Sequence, residues 1–275
     1  MAVIHMNFTS RSLTTKTDLY VVYPTPTLQD MIQHKDRYDP EKRWPVVYML
    51  HGAGGDGFEW IQRADVEALC CKYGFIAVLP SVELGFYNNT PDGRAYYDYV
   101  TKELPAMVES TFHASDRAED RYIMGYSMGG FGAVKIGWMN PERYHKIASL
   151  SGCMDVKGFI TAFEGGSIFT IHTALAECVG HVVVSYNYCD FVRDLYQDFY
   201  ILRFERQNEM SQRKGAKYEE AVITNYDPRP MLDSYYQQLD MFQPWAADQE
   251  QGELRLIHAP GTPTKLEQAR LSPIR

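Results

Sequence analysis

Three short runs of nearly continuous apolar residues punctuate the first half of the chain: "PVVYML" at 45–50, "GFIAVLP" at 74–80 and "RYIMG" at 121–125. Strands with no polar alternation are those covered on both faces. Between them the period changes. "DVEALCCKY" places apolar residues at Val66, Leu69 and Cys70. "YYDYVTKELPAMVES" places them at Tyr96, Val100, Leu104, Met107 and Val108, the spacing of a helix with one buried face. Strands alternating with helices predict an α/β fold, a mostly parallel central sheet with helices on both faces. "VIHMNF" and "TDLYVVYP" predict an N-terminal β-hairpin or meander. The polar stretch 26–44 reads as a surface connection. Asn140 and Pro141 stop a helix, and "KIASLSG" starts the next strand.

Beyond about residue 155 the rhythm weakens. "HVVVSYNY" and "ELRLIHA" are strand-like, and "FVRDLYQDFYILRFERQNEM" has an amphipathic, helical pattern. A length of 275 residues suits one domain over 1–275. Residues 1–155 form its core. Residues 156–275 are a divergent remainder, either a lid with C-terminal strands or a stretch that encodes no packed structure.

The net charge of −8 disfavours nucleic acid as a partner, because no basic stripe is present to release counterions from phosphates. No basic-then-apolar leader opens the sequence, and no apolar run reaches the roughly 18 residues of a membrane span. Five cysteines without a C-x-x-C pair indicate neither a disulfide frame nor a metal site. These features together predict a cytoplasmic protein with reduced thiols and no membrane partner. Homo-oligomer formation is left open.

The chemistry lies in two Gly-rich turns. Gly125-Tyr126-Ser127-Met128-Gly129 matches G-x-S-x-G, with an apolar strand before it and a helix-compatible run after it. A serine at such a tip takes strained backbone angles, and small residues two positions away let the turn close. That geometry exposes the Ser127 hydroxyl and sets the Met128 amide at a helix N-terminus, where a developing oxyanion is favoured. The alternative is a plain Gly-rich turn. The second turn, "MLHGAGGDGFEW", follows a buried strand and would supply the other oxyanion-hole amide, from Ala53 with Gly54 behind it. It lacks the spacing and the G-K-[ST] ending of a phosphate loop. His51 there orients the loop by hydrogen bonding and is not the base. The aromatic-rich loop after "VLP" offers Phe86, Tyr87 and Tyr96 as walls of a substrate pocket, or as packing on the sheet.

"VVYMLHGAGGDGFEW", "VLPSVELGFYNNT", "YYDYVTKELP" and "IMGYSMGGFGAVKIGWMNPERYHKIASLSG", in this order after "MAVIHM", resemble the tributyrin-esterase-like branch of the esterase D family. These are α/β-hydrolases related to S-formylglutathione hydrolases and feruloyl esterases. The resemblance covers residues 1 to about 155. It implies the α/β-hydrolase fold and hydrolysis of small, short-acyl carboxylic esters through an acyl-serine. It implies no cofactor, and a small-molecule ester as the partner. The family continues with a G-T-x-D strand end bearing the triad acid and a later Gly-rich turn bearing the histidine. Neither block is found here. His258, after "ELRLI", stands in the topological place for the base, and Asp227 in "ITNYDPRP" for the acid. Asp233, Asp240 and Asp248 are alternative acids. His145 comes too early, and His172 and His181 fall where a lid or insertion belongs. Three functions follow: a serine esterase, a catalytically impaired hydrolase-like binding protein, and an acyltransferase on the same fold.

Overall fold

The computed structural model describes residues 2–33, 39, 41–152, 181–207, 217–232 and 255–260. They fall into two compact units, Met1–Gly180 and His181–Arg275. In the first, the apolar runs become β3 (Val46–Leu50), β4 (Ile76–Pro80) and β5 (Arg121–Tyr126), joined by β6 (Lys146–Leu150). These four strands are parallel, in the order β4-β3-β5-β6. Ile76, Ala77, Val78 and Leu79 are all wholly buried, so both faces of β4 are covered, as the unbroken apolar run requires. The hairpin β1 (Ala2–Ser10) and β2 (Thr15–Tyr23) extends the sheet, with β2 antiparallel to β4. A short helix, α1 (Leu28–Ile32), interrupts the predicted surface connection.

The helices follow the 3.6-residue patterns. α2 (Glu59–Arg63) and α3 (Val66–Tyr73) link β3 to β4. Asp65 caps α3 by accepting from the Ala68 N–H, and Gly74 closes it at φ +68°. The run at 96–111 is helical with one irregularity. α4 (Tyr96–Asp98) passes through a π-turn, Tyr99–Glu103, into α5 (Leu104–Thr111). Pro105 has no N–H to offer the carbonyl four residues back, and its ring crowds that carbonyl. The widened turn just before it relieves both. α6 (Met128–Met139) follows β5 and packs on β5, β6 and β3.

The second unit contains β7 (His181–Asn187), β8 (Tyr200–Gln207), β9 (Lys217–Thr224) and β10 (Arg255–His258), all antiparallel in the order β7-β9-β8-β10. The predicted long helix over 191–210 is realised only as α7 (Asp190–Leu195). Residues 200–207 instead form a strand, paired residue for residue with β9 from Tyr200↔Thr224 to Gln207↔Lys217. Ile201 and Leu202 are adjacent and both buried, so both faces of this strand are covered there. Tertiary pairing overrides the local pattern there.

The π-turn also anchors the hairpin. Glu103 accepts from Ser10 Oγ (2.8 Å), the Arg11 N–H (2.8 Å) and the Ser12 N–H (2.9 Å). Burial raises its pKa, but these three donors outweigh it and hold the carboxyl below its ordinary 4.5. Its stabilising effect is therefore complete above about pH 4.5 and lost as pH falls through the lowered value. Glu103→Ala should lower stability at pH 7 by on the order of 1–3 kcal/mol in chemical denaturation. The gap from wild type should close in strong acid.

Candidate active site

β5 ends at Tyr126, and Ser127 turns the chain with φ +51° and ψ −119° before α6 begins at Met128. A non-glycine residue holds such angles only where its surroundings over-determine them. Here the cause is close approach. A Cβ on Gly125 would lie 2.2 Å from the Gly129 carbonyl oxygen, and one on Gly129 would lie 2.1 Å from that of Leu50. Only glycine at both positions lets helix and strands meet. The Ser127 N–H donates to Leu150 O (3.0 Å), tying the tip to β6. The Met128 amide opens the helix, which offers it no acceptor of its own. Ser127 is half-buried.

Strained backbone gathers at this edge of the sheet. Glu83, Phe86 and Tyr87 follow β4, Ser127 follows β5 and Ser151 follows β6, all with φ between +46° and +56°. Among the described residues Thr14 alone adds a non-glycine case elsewhere, in the hairpin turn.

The loop after β3 stands beside the elbow. His51 is wholly buried. Its Nε2 accepts from the Val82 N–H (3.0 Å), so the ring proton is on Nδ1, which donates to the Gly52 carbonyl (2.7 Å). The Gly55 N–H reaches the same carbonyl at 3.3 Å, closing a turn in which Gly54 has φ +78°. A trans peptide points its C=O and N–H in opposite directions. With the Gly52 oxygen held, the Ala53 N–H of that peptide is aimed the other way. Neither it nor the Met128 N–H has a hydrogen-bond partner among the described residues. The expectation for His51 as the loop's orienting residue corresponds to this geometry. Burial lowers its pKa, because the imidazolium is poorly solvated there.

Tyr87 has no surface to offer a ligand. It is wholly buried, its ring fills the space a Cβ on Gly132 would occupy, and its hydroxyl donates to His51 O (2.8 Å). The pocket-wall expectation does not match that burial; the side chain supports the loop from below. Phe86 is half-buried. Tyr96 is mostly buried and donates to Glu83 (3.0 Å). Lys135, on α6, was not singled out by the sequence pattern. Its ammonium donates to Asn88 Oδ1 from a half-buried position, and burial pushes its pKa down to about 8.

The imidazole that would act on Ser127 is not among the described histidines of the first unit. His145 precedes β6 and its N–H donates to Arg121 O, at the opposite edge of the sheet. The His113 carbonyl accepts from Trp44, at that same edge. His5 is on β1, four strand spacings from β5, roughly 19 Å, and is bonded to Asp18 at 2.7 Å. His51 has both nitrogens engaged. The sequence candidates lie in the second unit, each with a neighbour of its own. His258 Nε2 is 2.6 Å from Gln197 O. Asp227 accepts from the Arg229 N–H (3.0 Å) and Nε (2.8 Å), and the guanidinium holds its carboxyl below the usual range. His181 is stacked on Tyr226. His172, Asp233, Asp240 and Asp248 lie outside the described residues.

A serine elbow and a Gly-rich amide loop at the carboxyl edge of parallel strands define an α/β-hydrolase fold. The chain belongs to the esterase family whose model, described as "Putative esterase", matches residues 31–266, which reach into both units. It is 30% identical over 155 residues to an acetyl esterase of Caldicellulosiruptor saccharolyticus, a match spanning 56% of this chain and 57% of that protein. The fold is similar to fluorophosphonate-binding serine hydrolase F of Staphylococcus aureus (TM-score 0.52, 22% identity, 65% of this chain and 67% of that one). It is also similar to an S-formylglutathione hydrolase of Agrobacterium tumefaciens (TM-score 0.52, 20% identity, 66% and 76%). Among the described residues no helix is long and apolar enough to cross a membrane.

Two outcomes follow from the site. Ser127→Gly should be more stable than Ser127→Ala by about 1 kcal/mol, read by thermal or denaturant unfolding, because glycine alone relaxes the positive φ. The lowered His51 pKa means the neutral ring stabilises fully above about pH 6.5, its ordinary value, and progressively less below it. Wild-type melting temperature should therefore fall below that pH more steeply than that of His51→Gln.

Proposed function

We propose that the protein is a serine carboxylesterase that hydrolyses small, short-acyl esters through an acyl-Ser127 intermediate. The observation that carries this is Ser127 held at φ +51° on the strand-to-helix tip, beside two unpartnered amides at Ala53 and Met128. A general base takes the Ser127 Oγ proton, and the oxygen attacks the ester carbonyl. The Ala53 and Met128 N–H groups hold the oxyanion. The base returns the proton to the leaving alcohol, and water repeats the cycle to release the acid. Residues offered as base and acid are His258 and Asp227, from chain order. Phe86, half-buried in the loop after β4, is offered as substrate-facing. The names of the acetyl esterase and the S-formylglutathione hydrolase support one- and two-carbon acyl groups as substrates.

A second reading is a binding protein on this fold without turnover. It is favoured because no described histidine of the first unit offers a free imidazole at the elbow: His113 and His145 lie at the opposite edge of the sheet, His5 is on β1, and both ring nitrogens of His51 are engaged.

Purified protein incubated with p-nitrophenyl acetate separates the two. The esterase reading expects turnover that falls by roughly three or more orders of magnitude in Ser127→Ala. It also expects a steep loss on going from acetate to octanoate. Equal rates for wild type and Ser127→Ala would remove it in favour of the binding protein. His258→Ala and Asp227→Ala should fall with Ser127→Ala if they complete the triad, and near-wild-type rates would exclude them.

A further inference from the structure

The residue before the nucleophile has a feature that the elbow alone does not need. The Tyr126 ring lies under Gly52, where a Cβ would meet it at 2.6 Å, and packs edge-on against buried Trp60 with centroids 5.2 Å apart. Its hydroxyl donates to Glu59 Oε2 on α2, and the pair lies against the loop: a Cβ on Gly55 would meet that Oε2 at 1.8 Å and the hydroxyl oxygen at 3.5 Å. The other Glu59 oxygen accepts from Arg63 Nε at 2.6 Å, one helical turn on. The Glu59 side chain is only 17% exposed, so this carboxylate is held in place. Burial, then the carboxylate, raises the Tyr126 pKa to about 12, which keeps the phenol neutral and donating near neutral pH.

These contacts bracket one peptide plane. The carbonyl of His51 and the N–H of Gly52 belong to the same peptide group. Tyr87 donates to the carbonyl at 2.8 Å, and the Tyr126 ring closes on Gly52 at the other end. The plane is held from both ends by two tyrosines. The next plane carries the Gly52 carbonyl, fixed by His51, and the outward Ala53 N–H. If the first plane rotates, the second swings with it.

We propose that Tyr126 is a positioning residue for the oxyanion loop, with Glu59 fixing its hydroxyl, so that the pair sets the direction of the Ala53 amide. Its effect on catalysis rests on the esterase reading; its effect on the loop does not. Tyr126→Phe keeps the ring against Trp60 and removes only the hydroxyl. In an active enzyme it should lower kcat for p-nitrophenyl acetate by roughly 10- to 100-fold, with KM within about threefold, since the lost alignment matters in the transition state. Glu59→Ala should do the same, and Glu59→Gln, which keeps an acceptor, should lose less. The double variant Tyr126→Phe/Glu59→Ala should be no worse than Tyr126→Phe, because the two act as one unit. Independently of activity, hydrogen exchange of the Gly52 amide should speed up by about tenfold or more in Tyr126→Phe, as the loop opens locally. An active wild type whose Tyr126→Phe variant keeps kcat within twofold, or changes KM alone, overturns the proposal. So does unchanged Gly52 exchange. A wild type that does not turn over esters at all overturns the esterase reading, and the exchange measurement then decides this one alone.

Discussion

The first turn of α6 touches the ends of β3 and β5 with no room for a side chain, and the site depends on that contact. Gly125 lies against the Gly129 carbonyl, and Gly129 against those of Leu50 and His51. A helix that arrives so close must leave the strand through a sharp corner, so the residue at the corner is forced to φ +51°. The same approach aims the helix's unpaired first amides at one point above the sheet edge. It also makes the carbonyls that start the neighbouring loop part of the helix's own packing surface. Nucleophile, helix dipole and loop origin are therefore consequences of two missing β-carbons.

Around that contact the polar groups are satisfied from beneath. His51 is consumed by Val82 and Gly52, Tyr87 by His51, and Lys135 by Asn88. His51 and Tyr87 are wholly buried and Lys135 half-buried, where an unmade hydrogen bond is expensive. They leave the loop with a single conformation in which its remaining free amides face outward. Preorganised donors of this kind need no rearrangement when charge develops on a substrate. The strain recorded at Glu83, Phe86, Tyr87, Ser127 and Ser151 shows where the fold tolerates unfavourable backbone to hold that arrangement.

The elbow and the parallel strands were legible in the sequence because each rests on a local requirement. Apolar runs this short, bounded by turn residues, fit strands covered on both faces, and glycines at spacing four around Ser127 mark a close approach whatever the rest of the chain does. The role of His51 was legible for a similar reason, since it closes a strand and opens a Gly-rich loop. Tyr87 was not. An aromatic residue in a turn-rich loop has the composition of a pocket wall, and only the gap over Gly132 shows it to be buried. β8 was missed because its charged and apolar residues fit a helical period, while its partner β9 lies beyond the pattern's reach. Asp227 and His258 were named from chain order. Order carries no information about the Arg229 and Gln197 groups they meet. Tyr126 occupies a position the elbow motif leaves unspecified, so no motif could single it out.

Ala53 is the position where backbone and side chain part company. Its peptide N–H is oriented by hydrogen bonds to atoms of other residues, while its methyl group is exposed to solvent. No substitution of the side chain other than proline deletes the amide. Evolution can thus vary the surface that an incoming molecule meets at this residue without touching the group offered to the reaction. Residue 53 can be a variable letter in the alphabet of relatives and a fixed point in the chemistry.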